Sequence, residues 1–540
     1  MPIPSPKRAH GLYVPGMEIV QAVLALVTAC VVFALLARRA KLPYAVILVL
    51  GGIALAFVPD LPHVTLDPEL ALAFFVPPLL QASAWRTDWR AFRSALRPIL
   101  LLAVGAVLFT AACVALTIKL LIPDLPWAAA IALGAIVSPP DAVAVSAVLR
   151  RLPVPRRLVV VLEGESLVND ATALVLYHFA IVAVVAGSIT PYEAPGDFLF
   201  VAAGGIAIGV LVGYLAIAAF RRLDDALLDT AVSFIACYAA FMAADALGAS
   251  GVIAVVSAGL VMGQQQHRVI SAESRVTSVV VWRFIEFILT SLIFILVGLQ
   301  LRGILDRLAG TSPWELAGLA LAISAVLILS RFVYVIPGEY LWQLVRHGRL
   351  PRGHNTFGEA LVVSWAGMRG VVSLAAALAL PLDFPQRDLL VFLAFTAILA
   401  TLILQGTTLG WVIQRFEVQE ERQAGIPSQE ATARRQVAHA TLAEIERRAE
   451  DVLEGAVARD LIGEYRDKAR LFHGVAEGSA QAELEARLRI RLAALRAGRE
   501  ALLEHHRSDG LSDEVLTALE MEMDLEELRF LRLLGAAPKG

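Results

Sequence analysis

Between residues 17 and 414 the sequence alternates apolar runs of membrane-crossing length with short loops marked by Pro, Gly and Arg. Water is absent from the bilayer core, so a chain that crosses it must satisfy every backbone N–H and C=O internally, and an apolar run of about 20 residues does so as a helix. With 58% hydrophobic and 18% charged residues over 540 positions, and a mean hydropathy of +0.70, this is expected to be an all-α polytopic membrane protein. A formal net charge of −3 gives no reason to expect a nucleic-acid partner. Cys30, Cys113 and Cys237 all fall in apolar runs and read as small core residues rather than disulfides or metal ligands.

Thirteen candidate spans follow from the apolar runs: 17–37, 43–58, 68–84, 98–122, 126–149, 157–186, 197–220, 227–247, 249–264, 276–301, 313–344, 357–381 and 388–414. The first is followed by Arg38-Arg39-Ala40-Lys41 rather than a cleavage site, so it reads as a retained span. Alternating the loops places eighteen Lys and Arg on one side and five on the other. By the positive-inside rule, residues 1–16 are an external segment, 17–414 the transmembrane domain and 415–540 a cytoplasmic tail. The tail is rich in Glu, Arg, Ala and Leu. It is expected to form three or four helices, including Thr441–Arg448, Glu483–Leu503 and one starting at Ser512, as a solvated appendage that helps dimerisation, with a sensor as the alternative.

The run 158–182 is apolar except for Glu163, Glu165, Asn169, Asp170 and His178. Ionisable groups at that depth are expensive, about 2.5–3.5 kcal/mol each on insertion scales, and mark pathways or sites. From the basic loop at Arg156 and Arg157, Asp170 lies roughly 20 Å along a helix, near the midplane. Ser166 precedes Asp170 by four residues and Asn169 by three, so hydroxyl, amide and carboxylate share one face and offer a hard monovalent cation oxygen ligands.

Two spans carry helix-breaking residues at their centres. Ser138-Pro139-Pro140-Asp141 interrupts the fifth and Gly367-Met368-Arg369-Gly370 the twelfth. Matched breaks on spans of opposite direction suggest inverted repeats, spans 1–6 against 8–13, with the two broken helices crossing at a midplane site.

SPPDAVAV at 138–145, EGESLVND at 163–170 and GMRGVVSLA at 367–375, in this order and on these spans, resemble the sodium/proton exchangers of the first branch of the cation:proton antiporter superfamily, in a bacterial form. The resemblance implies that Asp170 takes either the cation or the proton, that Asn169 and Ser166 shape its site, and that backbone groups around Pro140 and Asp141 face it. Sodium, or potassium, would sit at Asp170 and Ser166. Two departures stand out: Gln81-Ala82-Ser83 replaces a third-span carboxylate common in relatives, and Pro140 occupies a position where relatives often have Thr.

For the remaining charges, Asp141 either ligates the ion or balances the dipole ends of the broken helix. Glu165 and Arg369 are expected to form a structural ion pair, and Arg283 and Glu286 to satisfy each other. Glu163 reads as a funnel or interface residue. His178 reads as a hydrogen-bonded core histidine, with a pH sensor as the alternative.

The expectation is therefore an electroneutral antiporter of the cell membrane, sodium first and potassium or lithium second, working as a homodimer in the lipid bilayer with no cofactor and no enzymatic activity. A channel or organic-anion carrier fits the small ligand set poorly. An intramembrane aspartyl protease using Asp141 and Asp170 would leave Asn169 and Ser166 without a role, and no Gly-x-Gly-Asp surrounds either carboxylate.

Overall fold

The structure is a computed structural model that describes all residues except 1–14, 41, 59–67, 142–144, 147–148, 150–151, 153, 187–193, 224, 309, 348–353, 419–427, 451–454, 477–479, 508–512 and 535–540. The regular elements among the described residues are all helices, with no strand among them. The chain divides into two compact units, Met1–Glu420 and Glu421–Gly540.

In the first unit the helices run in order as α1 (Pro15–Ala40), α2 (Tyr44–Ala56), α3 (Pro68–Arg86), the short α4 (Trp89–Ser94), α5 (Leu96–Leu121), α6 (Trp127–Val137), α7 (Arg156–Ala186), α8 (Ala194–Phe220), α9 (Ala226–Ala246), α10 (Gly251–Val269), α11 (Ala272–Arg307), α12 (Pro313–His347), α13 (His354–Trp365), α14 (Val371–Leu378) and α15 (Arg387–Arg415). Among the described residues, eight helices are long and apolar enough to cross a membrane, and Tyr44–Ala56 and Trp127–Val137 are shorter apolar helices. Every apolar run read from the sequence contains helix. The runs at 126–149 and 357–381 are interrupted at their Pro-Pro and Gly-rich centres.

Helix starts follow ordinary capping chemistry. Asp225 accepts from the backbone N–H groups of Leu227 and Leu228, and Ser250 and Ser271 accept from Ile253 and Ser274, which satisfies donors that the first turn leaves orphaned. Small residues set the closest packing: a Cβ on Gly52 would overlap the carbonyl of Ile295, and one on Gly298 would overlap that of Val49, so α2 and α11 touch backbone to backbone.

Two apolar clusters form the interior of this unit. One joins α1, α2, α5–α7 and α11–α15; the other joins α3, the middle of α7 and α8–α11. Cys30 and Cys237 are buried, Cys113 is half-buried, and all three are free thiols.

The second unit comprises α16 (Ser428–Arg448), α17 (Gly455–Ala476), α18 (Gln481–Arg507) and α19 (Asp513–Leu533). Its own small core includes Ala438, Leu471, Phe472, Leu484, Leu488 and Phe530. The expected helix start at Ser512 lies outside the described residues.

Candidate cation site

Pro139 and Pro140 lack backbone donors and clash with the preceding turn, so α6 stops where Ser138 N–H makes its bond to Gly134 O at 3.0 Å. The chain then bends and leaves the helix before Asp141, whose N–H donates to the carbonyl of Met368 at 2.7 Å. Met368 belongs to the other break, the non-helical stretch 367–370 between α13 and α14. The two interrupted helices therefore meet at their interruptions, and each supplies the other with a backbone partner that its own helix lost.

Arg369 is fully buried at this junction. Its Nε donates to Val137 O at 2.8 Å and an Nη to Ser138 O at 3.2 Å, while the other Nη contacts Gly367 O. Its backbone N–H donates to Thr401 Oγ1 at 3.2 Å. The guanidinium thus caps the carbonyl end of α6, where unpaired C=O groups and the helix dipole both favour a cation.

This corrects the expected Glu165–Arg369 pair. Glu165 is held instead by Arg331 of α12, both carboxylate oxygens receiving Nη donors at 2.7 Å. Arg331 Nε also donates to Val363 O at 3.0 Å. The reason is geometric: a planar fork suits a carboxylate bidentately, while the half-helix carbonyls already claim Arg369. Arg331 was legible as a lone cation in the apolar run 313–344, which calls for a partner. Glu286 likewise pairs with Arg86 of α3 at 2.7 and 3.0 Å rather than with Arg283.

Beside the junction lies a cavity of about 60 Å3 whose polar lining includes Asp141, Ser166, Asp170, Ser83, Thr290 and Ser373. Its apolar walls come from both interior clusters, Val76, Leu80 and Leu167 from one and Ile293 and Phe294 from the other. The space suits a small ion with one or two waters rather than an organic substrate. Asp170 and Ser166 are each 8% exposed, and Asp141 is half-buried. A Cβ on Gly370 would overlap Oδ2 of Asp141, so the carboxylate lies against the second break only because residue 370 has no side chain.

Asn169 and Pro140 meet behind the cavity rather than in its lining. Asn169 Nδ2 donates to Pro140 O at 2.7 Å, and Ser166 Oγ donates to the same carbonyl at 3.3 Å, which ties α7 to the break after α6. Glu163 is half-buried one turn before Leu167. His178 is exposed on α7, which corrects the reading of a hydrogen-bonded core histidine. The run around it is apolar on all faces, so its spacing did not reveal which face is buried.

Sequence reasoning named Ser83 only within the third-span departure and Ser373 only within the motif at 367–375, and it did not single out Thr290. Thr290 Oγ1 is buried without a hydrogen-bond partner among the described residues and borders the cavity. No local pattern marks Thr290; only the packing of α11 brings it there. Gln81, next to the missing third-span carboxylate, is fully buried with Oε1 unpartnered among the described residues.

An all-helical membrane protein with two interrupted helices meeting at a carboxylate-lined cavity is built as a secondary transporter. Residues 23–415 match the family model for the transmembrane sodium/hydrogen exchangers. The chain is 36% identical to a Na+/H+ exchanger of Mycobacterium tuberculosis over 94% of its own length and 96% of that protein. It is 31% identical to a sodium, potassium, lithium and rubidium/H+ antiporter of Bacillus subtilis, over 95% and 78% of the two chains. The sodium proton antiporter MjNhaP1 from Methanocaldococcus jannaschii shares the fold with a TM-score of 0.57 and 19% identity, covering 75% of this chain and all of that one. The chain belongs to the sodium/hydrogen exchanger family, the transmembrane cation:proton antiporters.

Proposed function

We propose that the protein exchanges sodium, and secondarily potassium or lithium, for protons across the bacterial inner membrane, with Asp170 as the carboxylate that the cation and the proton occupy in turn. The carrying observation is that Asp170, Ser166 and Asp141 share one small cavity at the junction of the two breaks. Desolvation favours the protonated carboxylate and an adjacent cation favours the ionised one, so the two ligands exclude each other at a single group and their fluxes are coupled. Ser166 and Asp141 supply further oxygens, Thr290 a hydroxyl from α11, and Asn169 holds the Pro140 carbonyl so that Ser166 and Asp170 face the cavity.

Glu163 belongs to the path leading in from the Arg-rich side, and His178 faces outward where it can meet lipid or a second copy. Thirteen spans in inverted repeats, an external residue 1–16 segment, a cytoplasmic tail from 415 and a homodimer complete the reading. It needs no cofactor and no chemistry beyond ion and proton exchange. Proteoliposome exchange with sodium, potassium and lithium over a pH series tests it: cation-driven proton movement that saturates with cation and weakens as protons compete supports it, and proton movement indifferent to all three cations contradicts it.

A further inference from the structure

A second cavity in the same unit, about 1260 Å3, shares no lining residue with the cation cavity. It is bounded by the start of α5, the first turns of α7, the Pro337 region of α12 and α13. Its walls are built by specific departures from regular helix. Leu101–Ala106 of α5 is a π-helical stretch, a form concentrated at functional sites. The Leu101 carbonyl accepts from the Tyr334 hydroxyl at 3.0 Å, and a Cβ on Gly105 would overlap that hydroxyl. On α12, Pro337 removes a backbone donor, and Gly338 has no atom within 4 Å of where its Cβ would stand, so the helix surface there opens onto empty space.

The charge at this cavity is uneven. Arg93, Arg97 and Arg157 line it together with Glu339 and Glu359, and Arg157 is close enough to Glu359 to act on it electrostatically. Arg93 and Arg97 are exposed and have no hydrogen bond or ion pair among the described residues. They leave positive charge at one end of a space whose remaining walls, such as Leu102, Leu158 and Val335, are apolar. Leu101 at 52% and Leu341 at 63% exposure continue the apolar wall outward. Basic groups beside an apolar cleft between membrane helices are the chemistry that recognises an anionic lipid headgroup.

We propose that this cavity binds one anionic phospholipid, with its phosphate at Arg93 and Arg97 and its acyl chains along Leu101, Leu341 and the π-helical face of α5. The occupant is a lipid rather than a soluble anion because apolar wall dominates the lining and runs on into the exposed leucines. The inference stands apart from the ion chemistry at Asp170. From Val161 at the edge of this cavity to Asp170 is about 13 Å along α7.

The test counts lipid rather than transport. Wild type, Arg93→Gln/Arg97→Gln and Gly338→Phe are each reconstituted in vesicles of phosphatidylcholine and phosphatidylglycerol, extracted gently and weighed by native mass spectrometry. The first variant removes exposed charges and the second places a side chain in open space, so both are expected to purify as monodisperse protein. If one does not, the other carries the test. Wild type is expected to retain one phosphatidylglycerol per chain that both variants lose, and inorganic phosphate is expected neither to displace it nor to raise the melting temperature of lipid-free protein. Equal retention by the variants, equal retention of phosphatidylcholine, or stabilisation by inorganic phosphate alone overturns the proposal.

Discussion

Glu165 of α7 and Arg331 of α12 face each other through two parallel hydrogen bonds of 2.7 Å, with side chains 1% and 3% exposed. The same guanidinium holds the Val363 carbonyl at 3.0 Å, two residues before the end of α13. One arginine thus fixes the helix that carries Asp170 against the helix that leads into the second break.

Removing one member of such a pair strands the other charge, at about 3–5 kcal/mol. Glu165→Gln and Arg331→Met are each expected to lower the melting temperature and the yield of purified protein far more than Arg302→Gln, an exposed change. The double variant is expected to be less damaged than the sum of the singles, because no unpaired charge remains. Single variants that melt with wild type would contradict the pairing.

Arg369 reaches Val137, Ser138 and Gly367 carbonyls in different directions from one planar group. A lysine at 369 keeps the charge but loses that fork, so Arg369→Lys is expected to destabilise by about 1–3 kcal/mol through carbonyls left unpaired, and to slow exchange. Thermal melts and initial rates in vesicles check this. A lysine variant equal to wild type in both would show that charge alone suffices.

Gly370 lets Asp141 lie against the second break, where a Cβ would overlap its carboxylate. Gly370→Ala is expected to reduce exchange on the order of tenfold, a change of about 1.4 kcal/mol at the site, while the protein stays monodisperse. Unchanged transport would mean that the contact between Asp141 and residue 370 does not shape the site.

Asp141 and Asp170 line the same cavity, so the number of protons carried per cation depends on whether both titrate. With Asp170 alone exchanging its occupant, no net charge moves, and the sodium gradient sustained by a fixed pH gradient is expected to ignore a potassium-valinomycin potential. A second proton at Asp141 would make that equilibrium shift by an energy of about 2.3 kcal/mol per 100 mV.

Much of this arrangement was legible in the chain itself. Apolar runs and Arg-rich loops mark the helices because the bilayer leaves the backbone few options, and Pro139-Pro140 and Gly367-Gly370 mark the breaks because they cannot continue a ladder. Asp170, Ser166 and Asp141, to which spacing, motif and depth pointed, line one cavity. The partner of Glu165 was not legible, because which of two buried arginines reaches a carboxylate depends on how α7, α12 and α14 pack, and no local pattern records it. The same holds for Thr290, an ordinary residue in α11 that becomes polar lining only when both interior clusters close around the cavity.

The most direct measurement is exchange by Asp170→Asn in proteoliposomes, with sodium-driven proton movement followed against wild type at matched protein density. Asparagine preserves the shape but cannot alternate between carrying a proton and balancing a cation. The expected result is folded, monodisperse protein with exchange at the level of protein-free vesicles, and cation-dependent proton transport retained by this variant would contradict the assignment of Asp170 as the group that sodium and protons share.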